Sequence, residues 1–140
     1  MSGDNDDFVL PDDWHAWMPS AHHNNPEIMA YVTKFAEMKE SHVSWIPRLQ
    51  PRLFYLWGHS YEFERDNNWD HLEAICEKLS GCEDTWYATN MEIYKYVKAY
   101  ESLEFSADGT IVYNPTLVDI WFIEDGVPHK ILSGETLYLK

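Results

Sequence analysis

The chain reads as an α/β protein. Two observations point there: short continuous apolar runs alternate with segments of helical period between Asn25 and Leu103, and two Asp-Gly pairs then separate apolar runs in the manner of antiparallel hairpins. The order helix, strand, helix, strand, helix implies parallel β/α units with right-handed crossovers, followed by an antiparallel β appendix. With 140 residues, 45% of them hydrophobic, the chain is long enough for one real core.

Residues 1–7 carry three aspartates and little to bury, and read as a disordered tail. Residues 10–19, bracketed by Pro11 and Pro19, show no period and read as a loop or edge segment. Asn25 is a suitable N-cap and Pro26 fits the first helical position. Ile28, Tyr31, Val32, Phe35 and Met38 then recur at spacings of three and four, which predicts an amphipathic helix to about Glu40.

Pro47 and Pro51 punctuate a connector, and Leu53-Phe54-Tyr55-Leu56-Trp57 is an unbroken apolar run, as expected of a parallel strand covered on both faces. Asn67-Asn68 caps a second helix bearing Leu72, Ile75, Cys76 and Leu79, with Gly81 past its end. Residues 85–88 read as a second strand. Asn90 caps a third helix carrying Ile93, Val97, Tyr100 and Leu103. Asp108-Gly109 places a hairpin over 104–113, Asp125-Gly126 another over 117–132, and 136–139 adds a last strand. The expected division is thus a tail at 1–7, β/α units over 8–103 and the antiparallel appendix over 104–140.

A formal net charge of −14, from 24 acidic against 10 basic residues, repels nucleic-acid phosphates and anionic lipid, so neither nucleic acid nor membrane is an expected partner. Two cysteines, Cys76 and Cys82, make no disulfide framework. No apolar run nears the ~18 residues of a membrane span, and no signal peptide is visible, so the expected location is cytoplasmic. Seven Trp and nine Tyr suit a surface that stacks on sugar, although aromatic rings also fill cores.

His59 is the first candidate for chemistry. It follows an apolar strand and Gly58, at the end where α/β proteins place working groups, and imidazole is the side chain most easily tuned to act as an acid or base near neutrality. Trp57 and Tyr61 flank it, and they, with Asp13 and Trp14, are candidates to line a sugar groove; packing and turn roles compete for each. His22 and His23 read as loop or capping residues rather than metal ligands, because neighbours on a regular element point apart. Glu62 and Glu64 share a facing on an extended chain, which invites a paired-carboxylate reading against the alternative of a solvated loop.

The run 54–63 (Phe-Tyr-Leu-Trp-Gly-His-Ser-Tyr-Glu-Phe), Asp66-Asn67-Asn68-Trp69, Trp86-Tyr87-Ala88-Thr89-Asn90 and the stretch 105–115 together resemble the C-terminal part of bacterial polysaccharide deacetylase family proteins, from about Phe8 onward. The resemblance implies the last β/α units of a distorted (β/α) barrel. It also implies metal-dependent removal of acetyl groups from amino sugars, by a hydrolase acting on C–N bonds other than peptide bonds. Trp57-Gly58-His59 matches the family's hydrophobic-x-His motif, whose histidine protonates the leaving group. The similar stretch around Trp17 departs at Met18 and Ala21, where the family carries His and Cys.

The family's Asp-Asp-Gly motif, which supplies the base and one metal ligand, and its His-x-x-x-His pair occur nowhere in the 140 residues. The resemblance therefore implies a zinc-like divalent metal only in a complete family member and no cofactor within this chain, which should be inactive alone. Expected partners are an acetylated amino-sugar saccharide and either the missing N-terminal half or a second copy, since an open parallel edge is unstable in water. The alternative is a catalytically empty carbohydrate-binding or assembly module.

Overall fold

The computed structural model describes residues 7–38 and 51–139, which divide into two compact units, 7–38 with 51–85 and 86–139. Most of the expected tail, the connector at Pro47 and the helix end at Lys39-Glu40 lie outside the described residues. Four helices and seven strands make the described chain α/β in the general sense. Its strands form a parallel pair, a three-stranded antiparallel sheet and a hairpin, and no barrel closes among the described residues.

The first unit is built on the parallel pair of β1 (Ala21–His22) and β2 (Leu56–Trp57), in register Ala21↔Leu56 and His22↔Trp57. Parallel pairing was expected of the apolar run ending at Trp57, but only its last two residues are strand. Before them Leu53 donates its N–H to the Phe8 carbonyl at 2.8 Å and Tyr55 accepts the Ser20 N–H at 2.7 Å, tying the run to 8–20. The partner β1 lies in a stretch too short to show a period. The strand expected at 85–88 does not form. Thr85 bonds back to the Cys82 carbonyl in a turn, and Trp86 and Tyr87 are exposed, whereas a parallel-sheet strand is covered on both faces.

Helix α1 (Ile28–Ala36) buries Ile28 and Val32 against Ala21 and against Ile75 of α3 (Trp69–Leu79), with Tyr31, Phe54, Leu56 and Leu79 packed around them. It begins two residues after Pro26, because Asn25 caps the preceding turn instead: its Oδ1 accepts the Glu27 N–H at 2.7 Å and its carbonyl the Ile28 N–H at 3.0 Å. Between β2 and α3 the expected loop is helix α2 (Ser60–Asp66), ended by Asn67 in the left-handed conformation at φ 48°.

In the second unit α4 (Asn90–Glu101) is capped by Thr89 rather than Asn90. The Thr89 N–H reaches Glu92 Oε2 at 2.7 Å while the Glu92 N–H donates to Thr89 Oγ1 at 3.4 Å, a reciprocal box that satisfies two otherwise orphaned donors. Strands β3 (Glu104–Phe105), β4 (Ile111–Tyr113), β5 (Ile120–Glu124), β6 (Val127–Ile131) and β7 (Thr136–Tyr138) follow, in a sheet of order β3-β4-β7 and a β5–β6 hairpin. Asp125 and Gly126 both take positive φ, 49° and 79°, the two-residue turn whose twist matches its strands. Alternation puts Ile120 and Phe122 inward, where they meet Ala99, Val112, Ile131 and Leu139, and leaves Trp121 and Ile123 outside.

Asn114, fully buried, ties these antiparallel pieces together. Its Nδ2 donates to the Val118 and Leu132 carbonyls at 2.8 and 3.0 Å, and its Oδ1 accepts from the Thr116 amide and hydroxyl at 3.0 and 2.7 Å. Truncation removes four hydrogen bonds at once, two donated by Nδ2 and two accepted by Oδ1, each contributing about 0.5–1.5 kcal/mol. Asn114→Ala should therefore destabilise the chain by about 3 kcal/mol in urea unfolding, and Asn114→Asp should not restore it, because a carboxylate would face the two carbonyls.

Asp108 closes the first hairpin. Its Oδ1 accepts from the Ser106 hydroxyl at 2.7 Å, the Thr110 amide at 3.1 Å and the Thr110 hydroxyl at 2.9 Å, and these bonds, that of Ser106 foremost, pull its carboxyl down to about 2. A lowered folded value gives stability that is present above the ordinary 3.8 and is lost as pH falls through about 2. Denaturation at neutral pH and near pH 2 should show a smaller acid loss for Asp108→Asn than for the parent chain.

Candidate functional site

The C-terminal ends of the parallel pair β1 and β2 bring His22, His23, Trp57 and His59 together, and α2 adds Tyr61 and Glu62. His22 is the last residue of β1, while His23 already stands in a turn. That change of backbone lets adjacent imidazoles swing to the same side, their rings 4.4 Å apart and 32° from parallel. The rule that neighbours diverge applies within a regular strand, and the strand has ended.

His23 is fixed on every side. Its backbone N–H donates to the Trp57 carbonyl at 3.0 Å, and its own carbonyl accepts His71 Nε2 of α3 at 2.9 Å. Its ring, 1% exposed, lies 4.1 Å from the Phe63 ring. On the other side it lies against Gly58, where a Cβ would come within 2.1 Å of His23 Cδ2. The glycine ahead of His59 thus makes room for a histidine of this chain.

One carboxylate oxygen gathers the cluster. Glu62 Oε2 lies 2.9 Å from His23 Nε2 and 3.3 Å from His22 Nε2, and accepts the His59 backbone N–H at 2.9 Å. The His59 amide bond, then the His23 bond and the two imidazoles, hold the Glu62 carboxyl at about 2, so it is ionised across the neutral range. His22 keeps the turn role expected of it as well, its Nδ1 accepting the Asn24 N–H at 3.1 Å.

The paired-carboxylate reading fails on geometry. Glu62 and Glu64 sit on a helix, not an extended chain, so they face apart: Glu62 turns to the histidines and Glu64 accepts Trp69 Nε1 at 3.1 Å.

His59 itself is exposed. Its ring stacks on Tyr61 at 5.1 Å and 13°, and meets Trp57 edge-on at 6.2 Å and 79°. Trp57 and Tyr61 are 45% and 62% exposed, so imidazole and rings form one open aromatic face. Asp13 and Trp14 belong to another cluster. Asp13 Oδ1 accepts the His15 N–H at 2.9 Å in the 13–16 turn, and Trp14 packs edge-on at 5.0 Å against Trp17, which leans on Tyr55.

His22, His23 and Glu62 are each visible in the sequence, but their patterns point to other roles, a loop or cap for the histidines and a paired or solvated carboxylate for the glutamate. One signal was present: His59-x-x-Glu62 has capping-box spacing, which turns a glutamate back toward the start of its helix.

No protein-family model, curated protein or solved structure matches this chain. No helix of the described residues is long and apolar enough to cross a membrane.

The close approach at Gly58, whose φ is +155°, makes Gly58→Ala a sharp test of the cluster. An added methyl must displace a buried ring, an overpacking cost of about 1–3 kcal/mol, and urea unfolding should show that loss.

Proposed function

We propose that this chain is the acid-bearing C-terminal portion of a polysaccharide deacetylase-like carbohydrate esterase or amidase, which acts on an acetylated amino-sugar saccharide when a metal-bearing N-terminal half is supplied. The observation that carries the reading is the exposed imidazole of His59 at the end of a parallel strand, flanked by the open rings of Trp57 and Tyr61. Sugar C–H faces stack on such rings, and an exposed imidazole beside them reaches a leaving nitrogen or oxygen and donates a proton as the acyl bond breaks.

The family's own metal set does not fit this chain, since Asp-Asp-Gly and His-x-x-x-His are absent. This chain's part is to position the sugar and hold a proton at His59. The pairing of β1 with β2 supports a role for added chain, because a two-stranded parallel sheet is a minimal piece of an α/β architecture.

A second reading, a carbohydrate-binding module without chemistry, is favoured by exposed rings in the second unit. The Trp86 ring meets that of Tyr96 at 5.5 Å, the Tyr96 hydroxyl accepts the Trp121 backbone N–H at 3.0 Å, and the Trp86 and Trp121 side chains are both exposed.

Acetate release from an acetylated chito-oligosaccharide by the chain mixed with a family N-terminal half tests the first reading. Release should occur only in the mixture and fall about 10²–10⁴-fold in His59→Ala, the usual contribution of a positioned acid. Tryptophan fluorescence that responds to the sugar without acetate release in any mixture would favour the binding module.

A further inference from the structure

We propose that His22, His23 and Glu62 form a site for one divalent transition-metal ion of the zinc type, built wholly from this chain and independent of the carbohydrate reading. Their donor atoms all lie within 4.8 Å of one another. From Glu62 Oε2 the two Nε2 atoms stand at 3.3 and 2.9 Å. Ligands bound at about 2.0–2.1 Å around a tetrahedral ion sit roughly 3.3 Å apart, so both imidazole–carboxylate pairs already stand within a few tenths of an ångström of that spacing.

The donor chemistry selects the class of ion. Calcium and magnesium take oxygen ligands, whereas two imidazoles and one carboxylate suit zinc and its neighbours. Three protein ligands leave a fourth position, which in zinc sites of this composition is taken by water or substrate. The exposure is graded accordingly: the His23 side chain is 1% exposed, Glu62 13% and His22 25%, so one ligand is locked in the unit and two border solvent, where an ion arrives.

Proton positions allow the exchange. Both Nε2 atoms face Glu62 Oε2, and an ion that takes their lone pairs leaves each neutral ring with its proton on Nδ1. His23 Nδ1 has no hydrogen-bond partner among the described residues, so placing the proton there breaks no existing bond. His22 Nδ1 is engaged by the Asn24 N–H, so that contact is given up to solvent, at an exposed residue of a turn. Glu62 Oε1 can take over the His59 N–H while Oε2 binds the ion, which keeps the start of α2 capped.

Cobalt(II) and zinc, added to the whole chain, are the probes. Cobalt should bind at one equivalent with the intense visible absorption of a low-coordinate site, and zinc should displace it. Binding should weaken at least about 10–100-fold in His22→Ala and in Glu62→Gln, the loss seen when even an outer-sphere partner of a metal site is removed. Glu62→Gln keeps an acceptor for the His59 amide, and circular dichroism checks that both variants fold. His15→Ala, which removes a fully exposed imidazole paired with Asp13, should bind as the parent does. Zinc should also raise the unfolding midpoint of the parent chain in a concentration-dependent way and leave that of His22→Ala unchanged. No saturable binding by the parent chain, or equal binding by parent, His22→Ala and Glu62→Gln, would overturn the site.

Discussion

The first unit turns on one half-buried oxygen. Glu62 Oε2 takes contacts from the end of β1, from the turn after it and from the backbone at the start of α2, so a strand end, a turn and a helix start are brought to one point by a single anion. The His59 amide, then the His23 imidazole, hold this carboxyl low, and its charge in turn strengthens the bonds those donors make. Without this carboxylate the two imidazoles lose the acceptor they share. The Gly58–His23 approach serves the same point from behind, by fixing the ring that delivers the shortest imidazole contact.

How much of this was legible in sequence depended on the range of the interactions. The hairpins were readable because Asp-Gly pairs specify a turn within a few residues, and alternation at Ile120, Trp121, Phe122 and Ile123 specifies which face is buried. Helices α3 and α4 were readable from periodicity, although Thr89 rather than Asn90 takes the cap because Thr89-x-x-Glu92 closes a box. β1 was not readable: a two-residue strand has no period, and its identity comes from Leu56 and Trp57, more than thirty residues on. The segment at 85–88 misled in the opposite direction, since strand-forming Trp86 and Tyr87 are displayed outside instead of being buried in a sheet.

The candidate site divides the same way. His59, Trp57 and Tyr61 stand within five residues of one another and at a strand end, so sequence alone could group them. Glu62 was hidden by the assumption that the chain after Tyr61 is extended and solvated; as helix, the same spacing turns one glutamate inward and the other away. His22 and His23 were hidden by strand geometry that stops one residue too early to apply to both. Convergence of side chains from 22–23 and 62 is a property of the parallel register, which no local pattern carries.

Asn114 has a consequence for how this protein ages. Asparagine side chains are lost in water mainly when the backbone nitrogen of the following residue attacks the amide carbon and closes a five-membered imide. Here the following residue is Pro115, whose nitrogen is already fully substituted and cannot close that ring. The amide that joins β4, the 114–118 loop and the turn after β6 is therefore shielded from the commonest chemical route of decay, in addition to being buried. The central fastening of the antiparallel unit thus sits ahead of the one residue type that cannot close the imide.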